Sequence, residues 1–119
     1  MLNPIKILLV EDQKLMRIGI KALFEGINDQ LIFKEAESAR EAIETAKTFK
    51  PHVVLMDIGL PDMSGIEAAK KIMADNKKVK VIMLTSHSSA KEVEDALAAG
   101  ASAYVLKDIN AESLMVIVK

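Results

Sequence analysis

Five apolar stretches punctuate the chain, and after each the apolar residues recur at intervals of three and four. Ile5 to Val10 is interrupted only by Lys6 and reads as a buried strand. Over residues 13–25 the period changes: Met16, Ile20, Leu23 and Phe24 share one helical face, with Lys14, Arg17 and Lys21 elsewhere and Gly26 as a stop. Leu31 to Ala36 is a second, less buried strand, interrupted by Lys34 and Glu35. Ser38-Ala39-Arg40-Glu41 has the form of a capping box, in which serine and glutamate satisfy the free amides of a first helical turn. Ala42, Ile43 and Ala46 follow as a small apolar face, which Pro51 closes.

The third apolar stretch, Val53-Val54-Leu55-Met56, runs straight into Asp57 and then a loop rich in glycine and proline. It reads as a strand buried on both faces. A second capping box, Ser64-Gly65-Ile66-Glu67, opens a helix with Ile66, Ala69, Ile72 and Met73 inward. Val79 to Leu84 is a fourth strand, ending in Thr85-Ser86-His87. A third box, Ser89-Ala90-Lys91-Glu92, heads a helix with Val93, Ala96 and Leu97 inward and Gly100 at its end. Ala101 to Leu106 is a fifth strand, ending at Lys107-Asp108, and Asn110 can cap a last helix containing Leu114, Ile117 and Val118. Strict alternation with short connections predicts a parallel sheet with helices on both faces.

Composition narrows the chemistry. The 119 residues suit one domain, and 50% hydrophobic content with 3% aromatics demands an aliphatic core. Sixteen basic against 17 acidic residues, a net charge of −1, gives no bulk attraction to nucleic acid or membrane. The absence of cysteine excludes disulfides and thiolate zinc sites, and His52 and His87 are too few for a His-rich metal site. No apolar run reaches membrane-spanning length and no signal-peptide pattern opens the chain, so a cytoplasmic protein is expected.

Parallel strands bring their carboxyl ends to one sheet edge, the usual ligand edge of open α/β folds. Here the first delivers Glu11 and Asp12, the third Asp57, the fourth Thr85 and the fifth Lys107. Crowded carboxylates repel unless a cation neutralises them. Oxygen donors without thiolates favour a hard, partly hydrated ion such as Mg²⁺. A hydroxyl and an ammonium beside such a centre suit anionic oxygens, which makes it a place to stabilise a phosphoryl group on a carboxylate.

Glu11-Asp12, the Met56–Gly65 loop, Leu84-Thr85-Ser86 and Gly100-Ala101-Ser102-Ala103-Tyr104-Val105-Leu106-Lys107 together resemble the receiver domain of two-component response regulators. The likeness covers essentially the whole chain, 1–119. It implies a flavodoxin-like (βα)5 three-layer sandwich with strand order 2-1-3-4-5. It further implies that Asp57 accepts a phosphoryl group from a sensor histidine kinase or a histidine phosphotransfer protein. Mg²⁺ would be held by Asp12, Asp57 and the Gly59 carbonyl, with Glu11 acting mostly through water. Lys107 would pair with phosphoryl oxygens, Thr85 would swing its hydroxyl toward them, and Tyr104 would rotate inward behind it. The responding surface would be that of the fourth helix, fifth strand and fifth helix, with a phosphorylation-linked homodimer as one outcome.

Two features are particular to this chain. Many receivers carry proline after the active-site lysine, with a cis peptide; here Asp108 follows Lys107, which removes the usual chemical reason for that bond. The Lys-Asp variant is similar to receivers joined to LuxR-type helix-turn-helix output domains, so the chain is expected to be a fragment of a longer DNA-binding regulator, with no direct nucleic-acid contact by this domain. Gly59 and His87, two residues beyond Asp57 and Thr85, are expected to tune phosphoryl lifetime.

Each residue alone has a plainer explanation. Glu11-Asp12 could be solvated charge at a helix start, Thr85 a strand-end hydroxyl, Lys107 a surface lysine and Tyr104 a packing residue. His52, at the far end of its strand from Asp57, is expected to be structural or solvent-facing. Rival classes fare worse. A nucleotide-binding enzyme would need a Gly-x-Gly-x-x-Gly or Gly-Lys-Ser/Thr loop, which is absent. A haloacid-dehalogenase-type hydrolase would carry a second aspartate where Gly59 stands. A receiver-fold interaction module that acts without phosphorylation is the standing alternative.

Overall fold

The computed structural model describes residues 4–24, 30–85 and 90–107. Its elements follow the predicted alternation: β1 (Ile5–Val10), α1 (Lys14–Phe24), β2 (Leu31–Ala36), α2 (Ala39–Phe49), β3 (Val53–Asp57), α3 (Gly65–Asp75), β4 (Lys80–Thr85), α4 (Ala90–Ala98) and β5 (Ala103–Leu106). The five strands form one sheet in the order β2-β1-β3-β4-β5. Every pairing is parallel, and the central register sets Val10 beside Met56 and Asp57 beside Leu84. This is the flavodoxin-like arrangement. The Gly26 stop, the box at Ser89, His87, the Lys107-Asp108 peptide and the helix after Asn110 lie outside the described residues.

Alternation along the strands divides the core between two faces. Leu8, Val10, Val54, Met56, Val81 and Met83 point to one side, where the alanines of α2 and α3 (Ala39, Ala42, Ala68, Ala69) allow close helix approach. Ile7, Leu9, Val53, Leu55, Ile82 and Leu84 point to the other, against Ile20 and Phe24 of α1. β3 is buried at all five positions, as its unbroken apolar run requires. Among the described residues no helix is long and apolar enough to cross a membrane.

The helix starts show how local chemistry fixes the connections. Ser38 caps α2 by accepting from the Glu41 amide at 3.1 Å, the serine half of the first box. Ser64 accepts instead from the Ile66 amide, one residue earlier than a capping box requires. The α2 start has a second acceptor: Asp62 receives the Ala39 and Arg40 amides at 2.8 and 2.9 Å. Those two amides hold its carboxyl below the ordinary 3.8, that of Arg40 more strongly. The loop after β3 is thereby tied to the neighbouring helix.

Two placements differ from the periodicity reading, and a third refines it. Arg17 is buried, not solvent-facing, because three acceptors surround its guanidinium. Leu97 is half exposed, since Ala96 takes the inward position on α4. His52 is exposed as expected and also structural: its amide donates to the Lys6 carbonyl while its Nδ1 accepts the Lys6 amide, both at 2.9 Å.

Candidate functional site

The sheet's carboxyl edge collects the chemistry because β1, β3, β4 and β5 all end there. Carboxylate oxygens of Glu11, Asp12 and Asp57 lie within 4.8 Å of one another. They arrive by different routes. Asp57 is the last residue of a fully buried central strand, whereas Glu11 and Asp12 form the turn between β1 and α1. Glu11 is sealed in, Asp57 is nearly so, and Asp12 faces solvent. The three line a cavity of about 250 Å³ with Gln13, Ile58, Gly59, Thr85, Glu92 and Lys107.

Lys107 reaches this cavity from the end of β5, held by the hydrogen bond its backbone amide donates to the Thr85 carbonyl at 2.8 Å. Its ammonium pairs closely with Glu11 Oε1 and lies 3.3 Å from Asp57 Oδ1. Burial alone would lower the Lys107 pKa, but the Glu11 bond and the Asp57 charge outweigh it and raise it above the ordinary 10.5. Burial pushes Glu11 above 4.5, and the bonds from Lys107 and the Gln13 amide only partly offset that. The ammonium therefore leaves the acid cluster under-neutralised.

That imbalance is a test of fit for a metal. The carboxylates outnumber the one ammonium, and the excess negative charge suits a divalent cation. The donors are all oxygen, with one carboxylate open to solvent for a hydrated ion to approach. The residues present suit Mg²⁺ on both counts. Gly59 lines the same cavity, and its amide donates to Asp57 Oδ1 at 3.3 Å.

The two residues expected to respond to the site sit on adjacent strands. Thr85 is buried at the end of β4 and lines the cavity. Tyr104, on β5 beside Met83, is partly buried. Its hydroxyl is buried without a hydrogen-bond partner among the described residues. Burial and the Glu92 charge push the phenol above the ordinary 10.0, against a smaller opposing influence of the Thr85 hydroxyl.

All seven sequence-proposed positions thus occupy one end of the sheet, with Tyr104 one step behind the others. Three further participants were not anticipated. Gln13 caps Glu11 Oε2 through its amide at 3.1 Å. Glu92 enters the cavity wall from the first turn of α4. Arg17 bonds the Glu11 carbonyl at 2.8 Å. A signal for Arg17 existed: it stands three and seven residues before Ile20 and Phe24, on the buried stripe of α1.

Comparison with known proteins agrees with this geometry. The family model for the response regulator receiver domain matches residues 7–119. The response regulator protein VraR of Staphylococcus saprophyticus is 39% identical over 111 residues, covering 93% of this chain and 53% of that protein. The chain therefore spans about half the length of the curated relatives it matches. A LuxR-family two-component response regulator from Aurantimonas sp. superposes with a TM-score of 0.87 at 31% identity, over 95% of this chain and 81% of that one. The CheX-CheY-BeF3-Mg complex of Borrelia burgdorferi gives a TM-score of 0.86 at 25% identity, over 96% and 86%.

Proposed function

This chain belongs to the response regulator receiver domain family, and from that premise we propose that it is a Mg²⁺-dependent phosphoryl switch with Asp57 as acceptor. The observation that carries the reading is the convergence of Asp57 with Glu11 and Asp12, with the Lys107 ammonium 3.3 Å from Asp57 Oδ1. A sensor histidine kinase or a histidine phosphotransfer protein is the donor. Asp57 attacks the phosphorus, a P–O bond forms as the P–N bond breaks, and the electron pair stays with the donor's histidine nitrogen.

Each residue has a stated part. Asp12, Asp57 and the Gly59 carbonyl hold the ion, and Glu11 completes the acidic shell through water. The bound ion supplies charge neutralisation for the incoming phosphoryl oxygens. Lys107 pairs with one of those oxygens, and Thr85 offers its hydroxyl to another. Tyr104 then turns inward behind Thr85. The burial of its hydroxyl and the influence of Thr85 on it support that role. The surface of α4 and β5, with the fifth helix expected from the sequence, carries the change outward, through a homodimer or an attached DNA-binding output domain. Relatives about twice this length, and a structural neighbour described as LuxR family, support an output beyond this domain. The Borrelia relative, solved with BeF3 and Mg²⁺, supports the ion and the phosphoryl chemistry.

The test is incubation with Mg²⁺ and acetyl phosphate followed by intact mass measurement. One added phosphoryl group is expected, lost with a chelator and lost in Asp57→Asn. No adduct on the folded wild type would instead support an interaction module working without phosphorylation. An adduct that survives Asp57→Asn would overturn the site.

A further inference from the structure

The geometry points to Arg17 as a positioning residue for the metal site: its guanidinium fixes the peptide plane from which both Glu11 and Asp12 hang. This inference rests on the reading of those two acids as the metal-facing pair. Arg17 Nη1 donates to the Glu11 carbonyl at 2.8 Å. That carbonyl lies in the rigid peptide unit joining Glu11 to Asp12, so holding the oxygen orients the Cα atoms of both residues. The same peptide's neighbours are also tied. The Glu11 amide donates to the Ala36 carbonyl at 3.0 Å, and the Gln13 amide donates to Glu11 Oε2. Every polar group of Glu11 is thereby engaged, and the carbonyl is the one engaged by a side chain of α1.

Stability does not account for this choice of residue. Arg17 occupies the buried stripe of α1 with Ile20 and Phe24, where an apolar side chain would pack without the desolvation a guanidinium suffers. The structure instead surrounds the cation with acceptors. Nε meets Glu35 Oε1 at 3.0 Å and Nη2 meets Glu37 Oε1 at 3.1 Å, on the end of β2 and the turn after it. Lys21 pairs with the second oxygen of Glu35 at 3.2 Å, which holds that acid in place. The planar fork thus spans from β2 to the β1–α1 turn, a geometry a lysine cannot reproduce. Residues that orient metal ligands typically matter by about 10–100-fold in metal affinity.

The test is isothermal titration of the apo domain with Mg²⁺ alone, beside thermal melts of the same proteins. Arg17→Met keeps the volume of the buried side chain and removes the fork. It is expected to weaken Mg²⁺ binding about tenfold or more, with Arg17→Lys restoring little of the loss. Ile20→Val, which loosens the same helix face without touching the turn, is expected to lower Tm and leave Mg²⁺ affinity unchanged. Should Arg17→Met not fold, Glu35→Gln combined with Glu37→Gln loosens the outer anchors of the fork and is expected to weaken Mg²⁺ binding in the folded protein. Wild-type Mg²⁺ affinity in a folded Arg17→Met, or in that double variant where Arg17→Met does not fold, would overturn the inference. A wild type that does not bind Mg²⁺ would overturn the underlying reading of the acidic site, and this inference with it.

Discussion

Gly65 is the residue at which the site and the fold constrain each other most tightly. It opens α3, and a Cβ placed on it would stand 2.1 Å from the Asp57 carbonyl oxygen and 3.0 Å from both the Asp57 carbonyl carbon and the Ile58 Cα. All three are backbone atoms, so no side chain can swing aside. The Gly65 amide also donates to the Ile58 carbonyl at 2.9 Å, which locks the helix start against the end of β3. Gly65→Ala must move one backbone past the other by about 1 Å, an overpacking that costs roughly 1–3 kcal/mol. Losing the Ile58 bond adds about 1 kcal/mol. A total near 3 kcal/mol is a large share of a stability of about 5–15 kcal/mol and lowers Tm by roughly 10 °C for a domain of this size. Urea denaturation is the assay, with an unchanged slope and a lower midpoint expected. Gly59→Ala is the internal control: a Cβ there would meet no atom within 4 Å, so the variant should stay within about 0.5 kcal/mol of wild type. Equal midpoints for Gly65→Ala and wild type, or equal losses at the two glycines, would refute the close-approach argument.

Two other outcomes follow from single features. Lys50 ends α2 in the left-handed region at φ 50°, so Lys50→Gly should raise stability in urea by about 0.5 kcal/mol, the relief of that conformation exceeding glycine's greater unfolded entropy; a lower midpoint would contradict it. Tyr104 and Lys107 both hold their protons more tightly folded than unfolded, so the stability each contributes is fully present below its ordinary value, 10.0 and 10.5, and is lost as pH rises from there through the higher folded value. Tyrosinate absorbance reads Tyr104 alone, since the chain has one tyrosine, and should titrate above 10.0 when folded and near it in urea; a folded titration at or below 10.0 would remove the argument.

The fold was legible because its strands obey simple rules. Val53 to Met56 is apolar at every position, as burial on both faces demands, and β3 is indeed the centre of the sheet. Four of the site positions were legible because each is a polar residue directly after such a run: Glu11 after Val10, Asp57 after Met56, Thr85 after Leu84, Lys107 after Leu106; the roles of Gly59 and Tyr104 came from the family resemblance. What the pattern hid were charges used as internal struts. Arg17 lies on the buried stripe of α1, but a periodicity reading assigns any guanidinium to water. Its partners, Glu35 and Glu37, lie 18 and 20 residues away, where no local rule connects them. Asp62 was equally hidden, because it caps α2 across 23 residues of chain rather than the helix that follows it. Leu97 failed for the opposite reason: α4 is short, and the smaller Ala96 takes the inward position.

These struts explain how a small aliphatic domain keeps an under-neutralised acid cluster in place. Burial holds Glu11 above its ordinary pKa even with Lys107 against it, so the site stores unfavourable charge instead of relaxing it. Relaxation would require the acids to move apart. Asp57 cannot, because its strand is packed on both faces and its carbonyl abuts Gly65. Glu11 cannot, because its amide, its carbonyl and both carboxylate oxygens are each bonded. Of the three acids only Asp12 is exposed, and Lys107 has two anionic partners between which to choose. On the function proposed above, a cation entering past Asp12 meets carboxylates already assembled, and a phosphoryl group on Asp57 competes with Glu11 for an ammonium 3.3 Å from Asp57 Oδ1. On that same proposed function, the rigid sheet turns a charge change at Asp57 into a choice of partner for Lys107, and β5, which leads into Lys107 and carries Tyr104, is the element that feels it.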